Sequence, residues 1–147
     1  MAKALVAYTT RGGATRSMAE TIAEGIRFEG LEVEVINIAQ IKDENGLAGY
    51  DAYVFGSPTY HGEMIQPMKT FLFLAEKAGL AGKTGGAFGA FGWSGEAPDR
   101  IFQTMKNIFN MNMVSDCLRL KSVTLGGGLQ MAQEYGRQVG KKAGASS

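Results

Sequence analysis

The sequence predicts one α/β domain built on a parallel sheet with helices on both faces. Three observations predict it. Short apolar runs alternate with segments of helical periodicity along the chain, and parallel strands need such crossovers. The length, 147 residues, suits one domain. Hydrophobic residues make up 45% of it, enough for a core, yet no apolar run approaches the ~18 residues of a membrane span.

The elements follow in order. Lys3–Tyr8 is a short apolar run that ends in a Thr/Gly loop, the mark of a buried strand. Arg16–Phe28 carries Met18, Ile22 and Ile26 at helical spacing, with Gly30 as a stop. Leu31, Val33 and Val35 alternate with Glu32 and Glu34, so Leu31–Ile38 is a strand with one wet face, near an edge. Ile41–Gly49 is a connector with about one helical turn. Ala52–Gly56 is a second buried strand, and Ser57–Glu63 a loop. Met68–Ala78 is a helix, with Pro67 in its first turn and Gly79 after its end. Thr84–Phe88 is the fourth strand, Gly89–Glu96 a loop, and Pro98 opens a helix through Phe109. Met113–Leu120 is the fifth strand, interrupted by Ser115, Asp116 and Arg119. Gln130–Lys142 is a final helix and Ala143–Ser147 a tail.

Composition excludes several functions. A single Cys, Cys117, allows neither an internal disulfide nor a Cys-based metal cluster, and its apolar surroundings mark a buried structural thiol. A single His, His61, excludes a multi-His metal site. Net charge is +1, which gives no electrostatic case for nucleic acid. The first residues lack a signal-peptide h-region, so no membrane association and a cytoplasmic location are expected. Ser94 lacks the G-x-S-x-G setting of a hydrolase nucleophile, so no catalytic residue is assigned.

Ligands of parallel sheets bind at the carboxyl ends of the strands. Three loops of unusual composition leave those ends and should share one rim. In the first, Thr9, Thr10, Arg11, Gly12, Gly13, Ala14 and Thr15 precede a helix. Its glycines let backbone N–H groups converge on an anion, the helix N-terminus adds positive potential, and Thr9, Thr10 and Thr15 offer hydroxyls. No Lys follows the second Gly and no G-x-G-x-x-G exists, so a phosphate monoester fits better than a triphosphate or dinucleotide. An ordinary strand–helix turn capped by Thr15 is the alternative. The second loop puts Tyr60 and His61 at a strand end, with Gly62 where a type II turn from Tyr60 to Glu63 needs a positive φ. The third carries Trp93, the only Trp. Gly86, Gly89, Gly92 and Gly95 recur every third residue, which suits close approach to a flat ligand. Two rim aromatics beside a phosphate-type turn suggest a flat heteroaromatic between the loops.

Tyr8–Thr15 resembles the phosphate loop of flavodoxins. Gly56-Ser57-Pro58-Thr59 and Gly89–Pro98 resemble the flavodoxin module of flavodiiron proteins. The likeness spans the whole chain, and three loops in order are more specific than any one. It implies a flavodoxin-like three-layer sandwich, with a five-stranded parallel sheet in the order 2-1-3-4-5, and one non-covalent FMN. By position, Thr9, Thr10, Arg11, Gly12, Gly13, Ala14 and Thr15 would hold the phosphate. Ser57, Pro58, Thr59, Tyr60, His61 and Gly62 would line one side of the flavin, and Ala90, Phe91, Gly92, Trp93 and Gly95 the other. The His61–Gly62 peptide would turn toward the ring on reduction. Arg11 and Gly12 replace the hydroxyl-rich centre of the usual loop, and Glu96 falls where flavodoxins carry a covering Tyr. The chain is also near neutral, where typical flavodoxins are strongly acidic.

The implied function is electron transfer between redox partner proteins, with a reductase or ferredoxin-type donor and an unidentified acceptor. The alternative is a small FMN-dependent reductase of quinones or nitro compounds. No nicotinamide motif and no insertion long enough for a lid are present, so the carrier is preferred. A flavin-free binding module is a third reading, since fold does not fix function.

Overall fold

The computed structural model describes residues 2–60, 63–90, 96–121, 123 and 126–146. The strands are β1 (Lys3–Tyr8), β2 (Glu32–Asn37), β3 (Ala52–Gly56), β4 (Thr59–Tyr60), β5 (Glu63–Met64), β6 (Thr84–Ala90), β7 (Asn112–Met113) and β8 (Leu118–Leu120). The α-helices are α1 (Ala14–Phe28), α2 (Gln66–Glu76), α3 (Glu96–Asn107) and α4 (Gly128–Ser146). The main sheet is parallel, in the order β2-β1-β3-β6-β7, with β8 also pairing with β6. This is the expected 2-1-3-4-5 arrangement with its fifth strand in two pieces.

Strand alternation builds two cores. On β1, Leu5 and Ala7 point to one face, where they join Tyr53, Phe55, Phe71 and Met105 under α2 and α3. Ala4, Val6 and Tyr8 point to the other, where Val54, Phe88, Ile22 and Val139 pack under α1 and α4. Phe55 and Phe88 are fully buried, each worth about 2–3 kcal/mol of apolar transfer. β2 is half wet, with Glu32 and Glu34 exposed and Val33 and Val35 partly buried, as suits an edge strand.

Four expectations are corrected. The fifth strand is not continuous from Met113 to Leu120: Ser115 takes a φ of 31°, and the chain bends between β7 and β8. Cys117 therefore lies in that bend rather than within a strand. Ala143 is 1% exposed against the α1–α4 core, so α4 runs to Ser146 and the expected tail is helix. The fourth strand extends two residues further, to Ala90, because Gly89 and Ala90 pair with β8. The connector Ile41–Gly49 holds its one expected turn, the 3-10 turn Glu44–Leu47 started by the Asp43 side chain, and a second 3-10 turn, Ile38–Gln40, started by Asn37, lies ahead of it at the end of β2. The second loop is not plain loop, since β4 and β5 form a small antiparallel hairpin.

Candidate functional site

β1, β3 and β6 are neighbours, and Tyr8, Gly56 and Phe88 lie in one row across them. The ladder continues into the loops: the Thr9 amide donates to the Gly56 carbonyl at 3.0 Å, and the Ser57 amide to the Phe88 carbonyl at 3.2 Å. The three loops thus leave the sheet side by side at its carboxyl edge, on the rim where parallel sheets bind ligands.

The first loop is a backbone cradle. Gly12 and Gly13 take φ values of 84° and 92°, conformations that a Cβ would strain. Among the described residues nothing lies within 4 Å of where either Cβ would sit. The Thr10 hydroxyl accepts from the Gly13 amide at 3.2 Å and fixes the turn. Gly13 stands at the N-cap of α1 without any side-chain cap, and the first turn holds no acidic residue. Its N–H groups lack intrahelical acceptors.

Thr15 does not cap the helix. It sits one residue inside the first turn, 1% exposed, and its Oγ1 is buried with no hydrogen-bond partner among the described residues. An orphaned buried hydroxyl costs about 1–3 kcal/mol, so its placement beside an uncapped helix N-terminus is the pattern of an anion site. Thr9 is also buried, Gly13 and Ala14 are half-buried, and Arg11 is exposed.

The second loop is tied inward. The Ser57 side chain is fully buried, donates to the Pro58 carbonyl at 2.9 Å and accepts from the Ile65 amide at 3.4 Å. The Thr59 hydroxyl accepts from the Ala97 amide at 3.0 Å. Thr59 thereby caps α3 from another loop, a role that its sequence neighbourhood does not signal. Pro58 is buried beside them. The pairing of Tyr60 with Glu63 frames a two-residue connection. That connection, His61 and Gly62, lies outside the described residues, as do Phe91, Gly92, Trp93, Ser94 and Gly95. The stacking and peptide-turn expectations fall on those residues.

Ala90 ends β6 at the rim, 7% exposed. The glycine series is corrected in part. A Cβ on Gly89 would strike the Ser57 carbonyl and Pro98, and one on Gly86 would lie 2.9 Å from the Tyr135 hydroxyl. These two glycines serve packing within the chain rather than ligand approach. Cys117 is buried, and burial pushes its thiol up to about 11, which suits a structural thiol.

The flavodoxin domain profile matches residues 5–133. The chain belongs to the flavodoxin family. Among solved structures, a flavodoxin from the domain Archaea is 33% identical, with a TM-score of 0.91, over 97% of this chain and 99% of that one. The flavodiiron protein of Giardia intestinalis is 27% identical, with a TM-score of 0.87, over 97% of this chain and 36% of that one. Diflavin flavoprotein A 6 of Nostoc sp. strain PCC 7120 is 35% identical over 132 residues, 88% of this chain but 23% of that protein. The flavodoxin chain thus spans about a quarter or less of the length of the diflavin relatives it matches. It is a flavodoxin-like FMN-binding domain, and the first loop fits that cofactor: a compact open cradle, an uncapped helix N-terminus and an unpartnered buried hydroxyl suit one phosphate monoester.

Proposed function

We propose that this flavodoxin is an electron carrier that holds one FMN at its rim and exchanges electrons with separate redox proteins. The buried Thr15 hydroxyl, unpartnered among the described residues and two residues beyond the Gly12–Gly13 turn, carries this reading. Thr15 and the N–H groups of the α1 first turn would bind the phosphate, with Thr9 and Thr10 beside them. Ser57, Pro58, Thr59 and Tyr60 with His61 and Gly62 would orient one side of the ring. Ala90 with Phe91, Gly92, Trp93 and Gly95 would exclude water from the other. Bound FMN supplies reversible uptake of one or two electrons.

Two observations favour the carrier over the quinone or nitro reductase. The archaeal flavodoxin, 33% identical, aligns with 97% of this chain, which supports a carrier role for the segment. The described connections between elements are also short, without a segment long enough to form a lid. We take residues 1–147 as one domain, acting in the cytoplasm with a ferredoxin-type or reductase donor.

Anaerobic NAD(P)H oxidation tests the choice. The carrier leaves NAD(P)H and a quinone unreacted when alone, and becomes reduced when a flavodoxin reductase is added. Sustained NAD(P)H-dependent quinone turnover by the chain alone would overturn it.

A further inference from the structure

Large apolar side chains stand exposed in several places, and two of them meet. Phe73 on α2 is 73% exposed and Ile108, just beyond α3, is 56% exposed. Both line one groove between α2 and α3, floored by Leu72 and Phe109 and flanked by Lys69 and Glu76. Phe28, also exposed, has the Arg137 guanidinium 5.5 Å from its ring centre, which covers part of it. Among the described residues no such cover is recorded over Phe73.

The stripe along α2 is self-complementary. Lys69, Leu72, Phe73 and Glu76 are spaced i, i+3, i+4 and i+7, so they share one face. Read in either direction from its centre, the stripe is a charge, two apolar residues and the opposite charge. Two antiparallel copies related by a two-fold axis at Leu72 and Phe73 would set each Lys69 against the opposing Glu76. Each Phe73 would lie on the opposing Leu72 and reach toward the opposing Ile108. Lys69 is held on the rim by Glu63, with Nζ 3.0 Å from Oε1, and an ammonium has donors to spare for a second carboxylate. Glu76 has no ion-pair partner among the described residues.

We propose that this α2–α3 groove is the interface of an isologous dimer of this chain, closed by reciprocal Lys69–Glu76 pairs around Phe73. An isologous contact requires a patch that complements itself, and this patch does so in charge and in apolar content. The groove lies on the α2–α3 face of the sheet, whereas α1, which follows the anion cradle, packs on the other face.

Sedimentation velocity on the flavin-loaded chain, from about 1 μM to about 1 mM, tests the proposal. The expected result is a concentration-dependent shift from monomer to dimer that Phe73→Ser abolishes. Lys69→Glu and Glu76→Lys should each weaken self-association at least about tenfold, and a 1:1 mixture of those two variants should regain it, because their charges then complement each other across the axis. All three positions are on the surface, and the flavin absorbance checks that each variant is folded. A wild-type chain that stays monomeric throughout would overturn the proposal. So would a dimer untouched by Phe73→Ser, or a mixture that associates no better than either charge variant alone.

Discussion

The Tyr135 hydroxyl accepts a hydrogen bond from the Ala87 amide at 2.9 Å and donates one to the Ala87 carbonyl at 3.2 Å. β6 pairs with β7 through Thr84 and Gly85, and with β8 through Phe88, Gly89 and Ala90. Ala87 therefore faces the break in the fifth strand, and one side chain serves both of its backbone groups there. Burial holds the Tyr135 phenol well above the ordinary tyrosine range, so the donated proton stays in place.

Tyr135→Phe should leave two buried backbone groups unpaired and destabilise the fold by about 1–3 kcal/mol. Urea denaturation of the apo-protein measures this. Gly86→Ala should also destabilise, since its Cβ would press on the same hydroxyl. A Tyr135→Phe variant as stable as wild type would show that the break is satisfied in another way.

Thr59→Val should cost about 1 kcal/mol, the usual worth of a helix cap. The Ala97 amide would lose its acceptor while the side-chain shape is kept. Because the loss belongs to the fold, it should appear in the apo-protein. Unchanged apo-protein stability would mean that water or another group takes over the cap.

Stability should fall between about pH 9 and about 11 in part through Cys117. Its thiol titrates near 9 in the unfolded chain and is pushed up to about 11 by burial in the folded one. Across that window the folded chain keeps a proton that the unfolded chain loses, so rising pH favours unfolding. Cys117→Ala removes this component, and the stability difference from wild type should shrink as pH rises from 9 to 11. A difference that does not change with pH would contradict it.

The sheet was legible because Leu5, Val54 and Phe55 belong to short apolar runs that nothing but a buried strand explains. The Gly12–Gly13 turn was legible too, because paired glycines between a strand and a helix are a local signal. The split of the fifth strand was visible only as the polar interruption at Ser115 and Asp116. Its remedy, Tyr135, lies 48 residues from Ala87, and no local pattern announces it. Gly86 looked like part of a ligand-facing series, yet its neighbour is that same tyrosine. Thr59 read only as a ligand contact, yet its hydroxyl also holds the start of α3. Local periodicity reveals elements, whereas contacts distant in sequence decide which small and polar residues serve the fold.

The most direct test of an FMN phosphate site at Thr15 is titration of the apo-protein with FMN and with riboflavin, in wild type and in Thr15→Val. The variant keeps the shape and removes a buried hydroxyl that has no hydrogen-bond partner among the described residues. FMN affinity should fall by about 10-fold to 100-fold, the worth of one hydrogen bond to a charged group. Riboflavin, which lacks the phosphate, should bind the two proteins alike, and the apo-protein should be no less stable than wild type. Equal losses for both ligands, or FMN binding that does not change, would contradict the account.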